Sequence, residues 1–199
     1  MVKGKKRKKV DTWKTKTWYE VFTPKMFGEA KIGDTLASDP TALIGRVVEA
    51  TVRDLTGDFS KQHIKLEFQI EDVKGDKAYA KFKSHSLSRD YMRSQIRRKT
   101  TRVEGVTDVT TKDGHKLRIK TIALARGRAQ TAQEKTIRKI MSNRVFKTAS
   151  KVTLDQFIQE VVLGRVSSNI YKAANSIYPL KRVEVRKVKM LGTSAKAHA

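Results

Sequence analysis

The side chains best suited to a chemical role in this 199-residue sequence are cations, and their spacing favours phosphate binding. A helix is predicted over Arg89–Lys99, with Ser88 as its N-cap. Arginines four residues apart share one helix face, and Asp90 is the acidic residue near them in the sequence. A guanidinium offers a rigid fork of donors that fits phosphate oxygens; a merely solvated helix face is the alternative. The predicted RNA-binding residues of this helix are Arg89, Arg93, Arg97, Arg98 and Lys99.

The first 16 residues form a second basic group, with eight Lys or Arg side chains against one Asp. No apolar period runs through them, so we predict an extended arm that is disordered until it binds a partner. Tryptophan beside lysine can stack on an unpaired base while the cation neutralises phosphate. A solvated tail is the alternative for the arm, and a core position is the alternative for Trp18. The candidate residues of the arm are Lys5, Lys6, Arg7, Lys8, Lys9, Trp13, Lys14 and Lys16.

A third basic group surrounds the start of a helix predicted from Thr131 to about Thr148. Thr131-x-x-Glu134 has the spacing of a capping box. The free N–H groups and positive dipole end of a helix N-terminus attract phosphate. The candidate residues here are Arg126, Arg128, Lys135, Arg138 and Lys139. A weaker fourth group lies on a predicted final strand and comprises Lys181, Arg182, Arg186, Lys187 and Lys189.

No arrangement typical of catalysis or of cofactor binding is found. The four His are scattered, and we expect them at the surface or in turns, so no metal site is predicted. Ser84-His85-Ser86 sets a hydroxyl beside an imidazole without an orienting acid. The adjacent acids Glu71 and Asp72 point to opposite faces of a strand, which does not suit acid–base work. The chain has no Cys and no phosphate-binding loop of the P-loop type. We therefore predict no enzymatic activity and no cofactor.

The overall charge agrees with this interpretation. Lys and Arg number 44 against 20 Asp and Glu, which gives a net charge of +24. Self-repulsion on this scale suits a protein that lies beside a polyanion, and the release of counterions favours phosphate binding. Anionic membranes and acidic proteins are the rival partners. No apolar run is long enough for a membrane span and no secretory signal is seen, so we expect a soluble, cytoplasmic protein with no membrane partner.

The apolar pattern predicts an α+β fold: a mainly antiparallel, β-barrel-like core with helices on one side. Strands are predicted over Thr17–Thr23, Arg46–Leu55, His63–Val73, Lys77–Ser84, Arg102–Thr111, Lys116–Ala125 and Leu180–Met190. Besides the two helices above, one is expected between Thr153 and Gly164 and another over Arg165–Tyr178. Lys25–Thr41 is predicted to be irregular, and the alternation of the last strand slips at Lys187, as at a β-bulge.

These elements suggest one domain between two tails. Residues 1–16 are the basic arm, and residues 17–191 are a single α+β domain. Within that domain, residues 17–126 are β-rich, residues 129–178 are helical and residues 180–190 form the final strand. Residues 192–199 are predicted to be a flexible tail. Whether the barrel closes is left open by the sequence.

Several separated segments resemble the "S-three-A-e" family, small-subunit ribosomal proteins of archaea and eukaryotes also called the eukaryotic-type "S-one" protein. The matching segments are Thr12–Tyr19, Pro24–Phe27, Leu43–Leu55, Arg89–Ser94 and Arg97–Thr100. Thr51-Val52 stands where members often have Ser-Leu or Cys-Leu. The resemblance covers about Lys3 to Leu191, and the short C-terminal tail looks more archaeal than eukaryotic.

The resemblance implies a β-barrel-like core with flanking helices, located on the small-subunit platform. Its expected site is near the 3′ end of the rRNA and the mRNA exit side. Expected partners are small-subunit rRNA, neighbouring platform proteins and mRNA near the exit. The implied role is in translation and subunit assembly. Two alternatives from other classes remain at this point: a free RNA- or DNA-binding regulatory or architectural protein, and an RNA-modifying enzyme.

Overall fold

The structure is a computed structural model that describes Trp13 and residues 15–193. In this part of the chain it has eight strands and five α-helices. The strands are β1 (Thr17–Phe22), β2 (Lys31–Ala37), β3 (Val47–Thr51), β4 (Ile64–Lys74), β5 (Lys77–Leu87), β6 (Arg102–Thr110), β7 (His115–Ala125) and β8 (Leu180–Thr193). The helices are α1 (Val52–Thr56), α2 (Arg89–Gln95), α3 (Thr131–Ala149), α4 (Leu154–Val162) and α5 (Arg165–Ala174). Short 3-10 turns span Lys25–Phe27, Pro40–Leu43 and Phe59–Lys61.

Hydrogen bonds join the eight described strands into one mixed sheet, so the predicted α+β class is confirmed. The pairing path is β2-β1-β5-β8-β7-β6, and β4 pairs with both β3 and β5. The β1–β5 pair is parallel, whereas β1–β2, β5–β8, β6–β7 and β7–β8 are antiparallel. The path ends at β2 and β6, which do not pair with each other in the described residues, so the sheet is not a closed barrel.

The chain divides into two compact units. The first comprises the described residues up to Val48 together with Gln69–Lys81. Here β1 lies between β2 and the first part of β5, with Val21 opposite Gly33 on one side and opposite Ala78 on the other. Val21 and Ala78 are buried. The tip of the β4–β5 hairpin turns at Gly75, whose positive φ of 59° suits glycine.

The second unit comprises Glu49–Phe68 and the described residues from Phe82 onward. Its centre is the β6–β7–β8 part of the sheet, where Leu117, Ile119 and Ile122 of β7 are fully buried. The α3 helix packs on β6 and on α5, and α5 packs on β8. Gly105 of β6 permits the close approach of α3, because a Cβ there would lie 3.2 Å from Thr121 Oγ1 and 3.6 Å from Met141 Cε.

The α2 helix lies on the opposite face of this sheet from α3. Ile122 and Glu104 line one cleft together with Met92 and Ile96 from α2 and its C-cap. Their sequence neighbours Thr121 and Gly105 face α3 instead, since successive strand residues point to opposite faces. The expectation that all helices lie on one side is therefore wrong. Burial of β7 on both faces from Thr121 to Ala125 follows from this arrangement.

The slip predicted near the end of the chain is a β-bulge. Lys120 of β7 faces Lys187 of β8, but the next residue, Thr121, faces Val185, so Arg186 is the additional residue. The bulge lets Val185 and Val188 both be buried while the side chains of Arg186 and Lys187 line the same cleft. An extra residue in the strand thus places two consecutive cations on the α2 face.

Two predicted segments differ from the structure near the start of the chain. The segment predicted to be irregular contains β2, which pairs with β1 along Thr17–Phe22. The strand predicted over Arg46–Leu55 stops at Thr51, where α1 begins. The strand ends there because a capping box starts the helix. Thr51 Oγ1 accepts a hydrogen bond from Asp54 N at 3.3 Å, and Asp54 Oδ2 accepts one from Thr51 N at 2.9 Å.

Helix ends also differ from the predicted ones. The α2 helix ends at Gln95 because Ile96 is extended, with φ −78° and ψ 127°. The N-cap of α3 is Gln130, in a reciprocal capping box with Gln133, rather than Thr131. The α5 helix ends at Ala174, where the Asn175 side chain turns to accept a hydrogen bond from Leu180 N at 3.0 Å.

Other predicted elements are confirmed. The β4–β5 and β6–β7 hairpins form, and β5 extends to Leu87. Thr153 and Gln156 form the capping box of α4. β8 continues to Thr193, into the segment predicted as a tail, and residues 194–199 lie outside the described part. Residues 1–12 of the predicted arm lie outside it as well.

Candidate nucleic-acid interface

The α2 helix is fixed at its start and along its buried side. Ser88 Oγ accepts a hydrogen bond from Tyr91 N at 3.3 Å, which confirms the predicted N-cap. Met92 is buried, and the Tyr91 ring stacks on His63 with centroids 3.9 Å apart. The guanidinium of Arg182, on β8, lies 5.5 Å from the Tyr91 ring. These contacts hold Arg89 and Arg93 on the outer side of the helix, where both are exposed.

Two adjoining clefts meet at α2, and we call their basic rim the α2 surface. The first cleft, of about 350 Å³, is lined by cations and by the carboxylate of Glu104. The second, of about 620 Å³, adds further cations and the acids Glu49 and Asp90. The cations of the α2 surface are Arg89, Arg93, Arg102, Arg186, Lys65 and Lys187. All four cations outside α2 come from strands, and three of them, Lys65, Arg186 and Lys187, are distant from α2 in the sequence.

Part of this charge is already paired. Glu104 accepts a hydrogen bond from Arg186 Nη1 at 3.1 Å, and its Oε1 lies 3.4 Å from Arg102 Nε. Lys65 Nζ lies 2.6 Å from Glu49 Oε1, and this hydrogen bond raises the pKa of Lys65. Such pairs hold side chains in place but leave little net positive charge at those positions.

Arg89 and Arg93 differ, because neither forms an ion pair with any other described residue. Two unpaired guanidinium groups therefore share clefts in which Arg102, Arg186 and Lys65 are held by acids. An anion with several oxygens, such as a phosphate of a nucleic acid backbone, fits this arrangement chemically.

The other predicted residues of this helix do not share the helix face of Arg89 and Arg93. Arg97, Arg98 and Lys99 follow the end of α2, so the helical spacing that grouped Arg97 with Arg89 and Arg93 is wrong. All three are exposed. Thr100 Oγ1 donates to the carbonyl of Arg97 at 2.6 Å, and Lys99 has a positive φ of 62°. They form a short basic turn beside α2 rather than a third helical position.

The third predicted group is divided by α3. Lys135 and Lys139 are exposed at positions four residues apart on the helix, whereas Arg138 Nε donates to the carbonyl of Glu104 at 2.8 Å. Arg126 and Arg128 are exposed in the segment before α3. In the capping box, the side chains of Gln130 and Gln133 already accept hydrogen bonds from two of the backbone N–H groups that were expected to meet phosphate.

Most predicted arm residues lie outside the described part of the chain: Lys5, Lys6, Arg7, Lys8, Lys9 and Lys14. Trp13 is 65% exposed, with Lys16 Nζ 5.1 Å from its ring. Trp18 is 64% exposed on β1, so the alternative of a core position for it is wrong. Both indole rings of the first unit thus present large apolar faces to the solvent.

One histidine departs from the prediction. His85 on β5 is 2% exposed, not at the surface or in a turn, and burial lowers its pKa to about 4. Its Nδ1 is buried without a hydrogen-bond partner in the described residues. Among all the described residues, no three His, Asp or Glu side chains converge as metal ligands would.

None of the described helices combines the length and apolar character needed to cross a membrane.

Sequence reasoning left Arg102 and Lys65 out of the interface and placed Arg186 and Lys187 only in a weaker group. The signal for Arg186 and Lys187 is long-range, because the pairing of β8 with β7 brings them to the face that carries α2. The slip in alternation near Lys187 was the available clue, since a bulge changes which residues share a face.

Comparison with known proteins identifies the family of the chain. The model of the Ribosomal S3Ae family matches residues 4–194. Three archaeal relatives are each named small ribosomal subunit protein eS1. The one from Desulfurococcus amylolyticus is 49% identical over 91% of this chain and 85% of its own length. The one from Staphylothermus marinus is 50% identical over the same shares.

The relative from Methanothermobacter thermautotrophicus is 46% identical over 96% of this chain and 98% of its own length. The matched segments include all the described strands and helices, so the likeness extends over both units. The chain therefore belongs to the Ribosomal S3Ae family.

Proposed function

We propose that the chain is a structural, non-catalytic constituent of the small ribosomal subunit that binds rRNA. The observation that carries this proposal is the α2 surface, where unpaired Arg89 and Arg93 share clefts with four further cations. Family membership and the names of the relatives support it. Phosphate contacts of this kind fix position on a folded RNA without reading bases.

The proposed location is the platform of the small subunit, near the 3′ end of the rRNA and the mRNA exit side. Its neighbours there would be other platform proteins, with mRNA close by, in ribosomes of the cytoplasm. The role in translation and assembly would be mechanical, because cations fixed on folded elements can hold RNA segments in place. The resemblance of the sequence to its family supports this location.

Sedimentation of a cell lysate tests the proposal against the alternative of a free RNA- or DNA-binding protein. We expect the chain to co-migrate with small subunits on a sucrose gradient and to stay with them after a high-salt wash. A free regulator is held by fewer contacts and would be released by the wash. Migration at the top of the gradient in both conditions would contradict the proposal.

Two single substitutions at the α2 surface should change RNA affinity in opposite directions. Arg93→Gln removes an unpaired cation and should weaken binding to a small-subunit rRNA transcript roughly tenfold, about the value of a charge-assisted hydrogen bond. Glu104→Gln removes the acid that competes for Arg186 and Arg102, and should tighten binding roughly two- to fivefold. Filter binding at one fixed salt concentration measures both. If Glu104→Gln also weakens binding, the α2 surface is not the RNA contact.

A further inference from the structure

A further basic cleft, apart from the two at α2, lies on the helical layer of the second unit. It has a volume of about 580 Å³ and is lined by residues of α3, α4 and α5 and of the segment after α3. Its cations are Arg144, Lys147, Lys151 and Lys172. Glu160, Asn169 and Thr148 are the other polar side chains of the cleft. None of these residues belongs to the α2 surface or to the predicted RNA-binding residues.

Helical spacing explains why the cations converge. Arg144, Lys147 and Lys151 are separated by three and four residues, so they follow one face of α3 and its extension. Asn169 and Lys172 are three residues apart on α5. The two helices are held together by buried side chains, among them Val145 on α3 and Ile170 on α5. The cleft walls therefore come mainly from helices, and Lys151 and Val152 come from the segment after α3.

The charge of this cleft is uncompensated in the structure. None of its four cations forms an ion pair with any other described residue, although Glu160 lies in the same cleft. Elsewhere in the unit, Arg118 and Arg182 have close carboxylate partners. One cation near each helix C-terminus would suit the helix dipole, but four exceed that need. Their mutual repulsion would be relieved by a bound polyanion.

We propose that this cleft binds phosphates of the rRNA backbone as a second RNA contact, separate from the α2 surface. The inference rests on the proposed function. RNA fits better than an acidic protein segment, because the described lining has four cations and no aromatic residue, with Val152 and Ala173 as its apolar members. Asn169 and Thr148 can exchange hydrogen bonds with ribose hydroxyls.

Tethered cleavage tests the location directly, since the chain has no Cys. An iron–EDTA probe on Ala173→Cys, in small subunits assembled with the full chain, should cut rRNA strands close to the cleft. The same probe on Ser94→Cys, exposed on α2, should cut different rRNA positions. Cuts from Ser94→Cys alone would overturn the second contact and leave the proposed function intact. Cuts from neither would contradict both, and cuts from Ala173→Cys in a neighbouring protein rather than in rRNA would assign the cleft to a protein partner.

Charge removal gives an independent measurement. The triple variant Arg144→Gln/Lys147→Gln/Lys172→Gln should reduce the slope of log K against log salt by roughly 2–3 with an rRNA transcript, about one per lost phosphate contact. The matched control removes the same charge at one arginine and two lysines that are already paired with acids outside the α2 surface: Arg118, Lys31 and Lys81. Its slope should change by less than one. An unchanged slope in the cleft variant, with binding of polyglutamate lost, would overturn the RNA assignment.

Discussion

Raising the salt concentration from about 50 to 200 mM should weaken binding of the chain to small-subunit rRNA roughly 10³–10⁵-fold, if about 6–10 phosphates are contacted. The exposed cations that lack an ion pair in the described residues make this number reasonable. They include Arg89, Arg93, Arg97, Arg98, Lys99, Lys135 and Lys139. Each phosphate that is neutralised releases counterions, so the logarithm of the binding constant falls linearly with the logarithm of the salt concentration. Filter binding or fluorescence anisotropy over a salt series measures the slope.

Paired and unpaired arginines provide the control for this prediction. Arg118 donates two hydrogen bonds to Asp108, at 2.8 and 2.7 Å, and this pair lowers the pKa of Asp108. Arg118→Gln should therefore change the salt slope little, whereas Arg93→Gln should reduce its magnitude by about one. Binding that does not depend on salt, or equal effects of both substitutions, would contradict phosphate neutralisation as the mechanism.

Local signals in the sequence were sufficient for the hairpins and for most of the helical layer. Alternation along β4 and the 3.6-residue period of α4 both follow from which side chains are buried, and each can be seen within ten residues. The errors arose where one local signal outweighed another. Val47–Leu55 has the composition of a strand, yet the Thr51–Asp54 capping box starts a helix within it. β2 contains Gly33 and Asp34, so it is recognisable only through its pairing with β1.

The candidate site was predictable only in part, for a similar reason. Arg89 and Arg93 were found because helix spacing is local. Arg186 and Lys187 join them through strand register and a bulge, which no window around α2 contains. The prediction that Arg97 shares a helix face with Arg89 and Arg93 was wrong because Ile96 leaves the helical conformation. The burial of His85 is also a long-range property, since it depends on the pairing of β5 with β8.

Protonation of this histidine should make folding strongly dependent on pH. Burial lowers the pKa of His85 to about 4, against 6.5 for an unperturbed side chain, and the nearby His63 acts in the same direction. The unfolded chain therefore binds a proton more readily than the folded one. Its contribution to stability is complete above about pH 6.5 and is lost as the pH falls toward 4. From the size of the shift, the loss reaches about 3 kcal/mol.

Urea unfolding of the full chain between about pH 4.5 and 7 measures this loss, and His85→Phe should flatten the dependence because it removes the buried titrating group. His63→Gln is the matched control: burial also lowers the pKa of His63, but this side chain is less enclosed, so its substitution should flatten the curve less. If the phenylalanine variant does not fold, an NMR titration of the imidazole in the native chain still decides. An imidazole that titrates near 6.5 would mean that β5 and β8 open readily at this position, because a proton can be accommodated at His85 only when solvent reaches it.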